Sequence, residues 1–164
     1  MTCLREDYPG SRRRICATNT DQQSRQYVVM RVKNRNLQFL INPGSSNSLI
    51  SSKLAHNLGS KLERTTNSNP LIAASGQQLN VLGKTAMTFH VRGLIIVHSF
   101  TVIENLFSSL LIGDDFLRKN HAVINYANST VSFYDGLVVL PLQNYNSCNN
   151  CACVHKTVCI PGYS

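Results

Sequence analysis

From Tyr27 onward, apolar residues come in short runs separated by polar punctuation, and few runs keep a helical period. Tyr27-Val28-Val29-Met30-Arg31-Val32 is β-branched and apolar, Lys33 to Asn36 is a polar turn, and Leu37-Gln38-Phe39-Leu40-Ile41 resumes, which predicts a hairpin. Asn42-Pro43-Gly44-Ser45-Ser46-Asn47-Ser48 is a dense loop signal directly after that second strand. A short strand is expected at Ser48-Leu49-Ile50. Ser51 or Ser52 then caps a helix through Leu58, and Gly59 stands where a left-handed C-cap is wanted. Two apolar pieces, Leu71 to Ala74 and Leu79 to Leu82, flank Ser75-Gly76-Gln77 and predict a mobile hairpin. Thr85 to Val91 and Leu94 to Ile103 are longer strands joined through Arg92-Gly93. Leu110-Leu111-Ile112 ends in Gly113, and Asp114 to Lys119 suits one or two helical turns opened by carboxylates. Val123-Ile124, Val131 to Tyr134 and Leu137 to Leu140 complete the series, with Asp135-Gly136 as a hairpin turn.

Many short strands with only one or two short helices predict an all-β closed barrel or sandwich over residues 26–142. Residues 1–25 are polar and irregular and read as a basic flexible arm; residues 143–164 read as a Cys-rich polar tail or linker. Leu40-Ile41-Asn42-Pro43-Gly44 and Leu110-Leu111-Ile112-Gly113 echo each other, each an apolar run into glycine followed by a helix-compatible segment. Such an echo implies two pseudo-symmetric halves.

The length, 164 residues, holds one domain, and the 43% hydrophobic content excludes disorder throughout. No run approaches the ~18 apolar residues of a membrane span, so no membrane partner is expected. The first 25 residues carry five arginines and no apolar segment, so a secretory signal is not expected and an intracellular location is. Sixteen Lys and Arg against eight Asp and Glu give +8, of which +5 falls in residues 1–35. The basic arm could meet phosphate, but no aromatic residues interleave with its arginines, so a solvated tail is the favoured reading and nucleic acid a weaker one.

The order of motifs resembles the retropepsins, the aspartic proteases of retroviruses and LTR retrotransposons. That family's pattern is an apolar strand into Asp-Thr/Ser-Gly, a helix, a glycine-containing flap, and apolar-apolar-Gly before Asp-Phe-Leu. Here it reads Phe39-Leu40-Ile41-Asn42-Pro43-Gly44-Ser45, then Ser75-Gly76, then Leu110-Leu111-Ile112-Gly113-Asp114-Asp115-Phe116-Leu117. The resemblance implies an acid-protease β-barrel, a homodimer, and an extended peptide or polyprotein as substrate, with no cofactor and no metal. It places Asn42 at the family's aspartate and implies that Gly44, Ser46, Gly76 and Leu111 line the peptide cleft. Two departures fall at the reacting centre: a carboxamide at Asn42 and a proline at Pro43. A carboxamide cannot share the proton that a pair of carboxylates shares, so the resemblance comes with impaired catalysis. A non-catalytic dimeric peptide-binding or scaffold domain is the alternative.

The remaining candidates are weaker. Asp114 and Asp115 are expected to cap the following helix, and Asp135 to serve its turn. Ser45, Ser46 and Ser48 with His56 lack the Gly-x-Ser-x-Gly elbow of a hydrolase. Cys148, Cys151, His155 and Cys159 form Cys-x2-Cys-x3-His-x3-Cys, one residue short of a zinc knuckle in both later intervals, so a free-thiol tail is expected instead.

Overall fold

The computed structural model describes residues 25–66 and 70–144. The basic arm and the cysteine cluster, with the readings attached to them, lie outside the described residues.

The strands are β1 (Gln26–Val32), β2 (Arg35–Ile41), β3 (Leu49–Ser51), β4 (Val81–Val91), β5 (Leu94–Ile103), β6 (Leu110–Ile112), β7 (Val123–Asn125), β8 (Thr130–Phe133), β9 (Val138–Pro141) and β10 (Gln143–Asn144); the helices are α1 (Ser52–Asn57) and α2 (Asp114–Lys119). Six strands pair in the order β1-β2-β6-β3-β5-β4, and β4 pairs back onto β1 to close the ring. Closure removes sheet edges from the barrel, while β10 adds to the side of β1. Strands β7, β8 and β9 form a separate antiparallel sheet. Of the two all-β forms the run lengths allow, this is the closed barrel and not the sandwich, with two short helices.

Period-two alternation decides which residues enter. Along β4, Thr85, Met87, Phe89 and Val91 are buried while Lys84, Ala86, Thr88 and His90 face out; β5 buries Ile96, His98 and Phe100 opposite them. Phe39, Phe89, Phe100, Phe116 and Phe133 are fully buried. Phe89 lies 5.4 Å from Phe39 and 5.5 Å from Phe116, which in turn lies 5.7 Å from Phe133. Phe116 thus ties the barrel to the three-stranded sheet in one core. Each ring so buried stabilises by about 1.5–3 kcal/mol before conformational entropy is set against it.

Three local expectations shift. The first hairpin turns on Lys33 and Asn34 alone, with Lys33 at φ 53°, so β2 begins at Arg35. Strand β4 begins at Val81, not Thr85, because a bulge at Gly83 (φ 152°) carries pairing through what reads as a break. A Cβ at Gly83 would sit 2.4 Å from the Glu63 carbonyl oxygen, so only glycine admits the crossing segment. The turn between β8 and β9 spans Tyr134 to Leu137, with Tyr134, Asp135 and Gly136 all left-handed, so it is longer than the Asp-Gly pair alone predicts. Among the described residues, no helix is long and apolar enough to cross a membrane.

Candidate active site

Strand β2 delivers Asn42 to one end of the barrel. The Asn42 N–H donates to the Ile112 carbonyl at 2.9 Å, continuing the parallel β2–β6 pairing of Leu40 with Leu111 and Ile41 with Ile112. The Asn42 carbonyl accepts from Ser45 N–H at 3.1 Å, closing a turn with Pro43 at its second position, where a fixed φ suits it. Within that turn the Asn42 side-chain Oδ1 accepts from Gly44 N–H at 3.1 Å. Asn42 is half-buried; Pro43, Gly44 and Ser46 are exposed.

The loop then crosses the end of β6, which lies between β2 and β3. The Asp114 N–H donates to the Ser45 carbonyl at 2.7 Å, and Ser45 Oγ donates to the Asn47 carbonyl at 2.7 Å. A Cβ at Gly113 would stand 2.4 Å from the Asn47 oxygen and 2.8 Å from that of Ser45, so close backbone approach requires glycine there. The echo in the sequence therefore marks two arms that lock together, Asn42 on one and Gly113 on the other.

Behind the loop lies a polar network absent from the sequence reading. Ser48 Oγ donates to Asp115 Oδ1 at 2.7 Å and accepts from Gly113 N–H at 3.0 Å. Phe116 N–H donates to the same Asp115 oxygen at 2.8 Å, and His98 Nε2 lies 3.1 Å from Asp115 Oδ2. His98 is 8% exposed and stands edge-on to Phe100 and Phe116. Burial pushes its imidazole below the ordinary 6.5; the adjacent Asp115 carboxylate opposes this, and Lys119 adds to it. Burial alone would raise Asp115, but hydrogen bonds from Ser48 and Phe116, together with His98, outweigh it and hold the carboxyl below its ordinary value. Asp115 therefore does not act as a simple cap. The residue before α2, Gly113, provides no side-chain cap, and the Asp115 carboxylate points to Ser48 and His98 instead. Asp114 does sit in the first turn of α2, paired with Arg118 at 2.6 Å.

The hairpin around Gly76 forms as expected. Ile72 bridges Gln78, Leu79 N–H donates to the Leu71 carbonyl at 2.8 Å, and Gly76 turns at φ 85°. Leu71 and Leu79 pack with Leu40, Leu49, Ile103, Leu106 and Leu111 in a second apolar cluster apart from the main core. The base of the hairpin is thereby anchored to the strands that carry Asn42 and Gly113. Of the residues the sequence singles out, Asn42 and Gly44 share one turn and Ser46 is exposed on the same loop, while Leu111 pairs with Leu40, two residues before Asn42, and is buried in the second cluster. Gly76 sits at the hairpin tip with nothing within 4 Å of a Cβ added there, so it is not brought against Asn42. Among the described residues no group of three or more His, Cys, Asp or Glu is placed to hold a metal ion.

The family model described as gag-polyprotein putative aspartyl protease matches residues 28–119, more than half of the chain. The chain belongs to that family. The matched span runs from β1 to the end of α2 and so contains both locked arms and the hairpin. Among solved structures, the retroviral protease-like domain of Ddi1 from Leishmania major is similar at TM-score 0.60 and 18% identity, over 76% of this chain and 98% of that one. At that identity the likeness is one of fold. The EIAV protease complexed with the inhibitor HBY-793 aligns at TM-score 0.48 and 16% identity, over 62% of this chain and 93% of that one. A retropepsin-like aspartic protease from Rickettsia conorii aligns at TM-score 0.43 and 17% identity, over 73% and 81%. No curated protein matches the chain by sequence.

Proposed function

We propose that this retropepsin-like domain, spanning residues 26–142 of a retrotransposon-type polyprotein, pairs with a second copy and binds an extended peptide without hydrolysing it. In this reading Asn42 stands where the family's aspartate stands, and Gly44, Ser46, Gly76 and Leu111 line the cleft. The observation that carries it is the turn at the end of β2, where Asn42 Oδ1 accepts from Gly44 N–H and no carboxylate is present. Aspartic proteolysis needs two close carboxylates with one proton between them: one deprotonates a water while the other protonates the peptide carbonyl. Two Asn42 side chains supply neither proton acceptor nor donor of that strength. Pro43 removes a hydroxyl and a backbone N–H from the same turn. It also blocks the succinimide route from Asn to Asp, which needs that N–H as nucleophile.

The test is activity of the full chain on a peptide library between about pH 4 and 7, the range in which a carboxylate pair shares a proton. The wild type is expected to bind extended peptides in calorimetry and cut none. The double variant N42D/P43T is expected to gain pepstatin-sensitive cleavage. Robust wild-type cleavage abolished by N42A would overturn the loss of catalysis, and failure to bind any extended peptide would overturn the cleft.

A further inference from the structure

One inward position of the barrel is polar where its neighbours are not. Along β4 the inward row reads Thr85, Met87, Phe89 and Val91, a hydroxyl at the head of three apolar side chains. Thr85 is 2% exposed, and its Oγ1 is, among the described residues, the one buried side-chain polar atom with no hydrogen-bond partner. A threonine hydroxyl both donates and accepts, and leaving it unmet in a core is costly where valine fills nearly the same volume.

Thr85 lines a cavity of about 460 Å³ bounded by α1, the start of β4 and the end of β5. Two local features shape this space. Ala55 is the only buried residue of α1, so the helix presents no more than a methyl group to the barrel beneath it. After Gly59 the chain crosses β4: Glu63 N–H donates to the Lys84 carbonyl and Lys84 N–H to the Glu63 carbonyl, both at 2.8 Å. That crossing brings Leu62 to the cavity, where Leu82 adds a second apolar side chain. Exposure grades the lining from floor to rim. Thr85, Val102 and Ala55 are buried, Leu82 is half-buried, and Lys53 and His56 are exposed. Lys53 and His56 are three residues apart on α1, so they are neighbours on the helix surface. Neither belongs to an ion pair among the described residues, and between Asp21 and Glu104 the sequence holds a single acid, Glu63.

We propose that this cavity binds a small organic carboxylate that carries a hydroxyl or carbonyl at its far end. The carboxylate meets Lys53 and His56 at the rim, an apolar body lies among Leu62, Leu82 and Val102, and the inner polar group pairs with Thr85 Oγ1. The volume falls in the lower part of the range of about 300–1,000 Å³ in which small-ligand sites lie, so a single ring or a short chain fills it. Lys53 supplies a compact charge for the carboxylate and His56 a ring N–H. A polar contact at each end with apolar side chains between them fixes one orientation of the ligand. None of the lining residues belongs to the turn at Asn42, the hairpin at residues 71–79 or α2. The site is therefore separate from the proposed peptide cleft, and the proposal stands independently of the fate of catalysis.

The experiment uses the full chain, isotopically labelled for amide NMR, and three probes of similar shape. These are para-hydroxyphenylacetate, phenylacetate, which lacks the inner hydroxyl, and tyramine, in which an ammonium replaces the carboxylate. Amide shifts are followed in titrations up to about 10 mM probe. para-Hydroxyphenylacetate is expected to saturate, with its largest shifts at Ala55, Leu82, Thr85 and Val102. It is expected to bind about fivefold tighter than phenylacetate and about tenfold tighter than tyramine. T85V keeps the side-chain shape, and its amide spectrum is expected to show an unchanged fold. In T85V the preference for the hydroxylated probe is expected to vanish while phenylacetate binds as before. K53Q/H56Q is expected to weaken both carboxylates about fivefold and to leave tyramine unweakened. No saturable binding of either carboxylate, or shifts centred on residues 42–48 in place of the cavity, would overturn the proposal. So would a preference for the hydroxyl that survives in T85V.

Discussion

Asn42 and Asp115 sit on the two interlocked arms, both half-buried, and differ in kind: the first is an amide at the end of β2, the second a carboxylate hydrogen-bonded to Ser48 and His98. Only the second titrates, and its network fastens the loop behind Asn42 onto β6 and α2. The sign of the pH dependence follows from the direction of each shift. His98 has a folded-state pKa below its ordinary 6.5, so the unfolded chain binds the proton more readily. Its contribution to stability is complete above about pH 6.5 and is lost as the pH falls below that value. Asp115, also lowered, contributes above its ordinary 3.8 and loses that contribution as the pH falls further, through its folded value. Urea midpoints are therefore expected to fall on acidification from pH 7 to 5, and H98Q is expected to flatten that decline while leaving Asp115 hydrogen-bonded. An equally steep decline in H98Q would remove His98 as its source. Nothing local in the sequence marks this group. His98 reads as an interruption of the apolar run from Leu94, and Asp115 as one of two acids at a helix start. The seventeen-position separation between them is bridged only when β5 and α2 pack. Asn42, by contrast, is legible, because an apolar strand running into Asn-Pro-Gly is a local pattern.

Elements were legible wherever period and punctuation coincide, as at the β1–β2 and β4–β5 hairpins and at Gly59, whose φ of 63° ends α1 as its position predicts. They were not legible where one segment crosses another: Gly83 reads as a break until the Glu63 backbone is found above it. The hairpin at residues 71–79 has its own energetics, because Leu71 and Leu79 belong to the smaller cluster with Leu111 and not to the phenylalanine core. A hairpin anchored by two half-buried leucines is expected to open without unfolding the barrel. L79A is expected to raise amide exchange at Leu79 and Ala73 about tenfold, while the thermal midpoint moves far less than a phenylalanine-core truncation would move it. If the global midpoint fell in step with the local protection, the hairpin would be part of the cooperative core and could not move separately over the loop at Asn42.

At the scale of the whole molecule, one chain supplies one copy of the Asn42 turn, and its loop presents Pro43 and Gly44 outward at the end of the barrel. The barrel is closed except where β10 lies beside β1, and among the described residues β10 has no second neighbour. A free strand edge offers unpaired backbone donors and acceptors, which a second copy can satisfy. If the proposed pairing holds, the two exposed turns meet across a two-fold axis and the hairpins of both copies face a shared groove. Dimerisation then couples to folding by mass action. The full chain is expected to sediment between 18.2 kDa and twice that mass according to concentration, and its thermal midpoint to rise with concentration. Each tenfold increase in concentration is worth about 1.4 kcal/mol to the dimer. N42D/P43T should follow the same dimerisation curve, because geometry and titration are separate properties of the turn. A protein that remains a monomer at about 100 μM, with a concentration-independent midpoint, would leave each Asn42 turn single, and a cleft built from two copies would have to be abandoned.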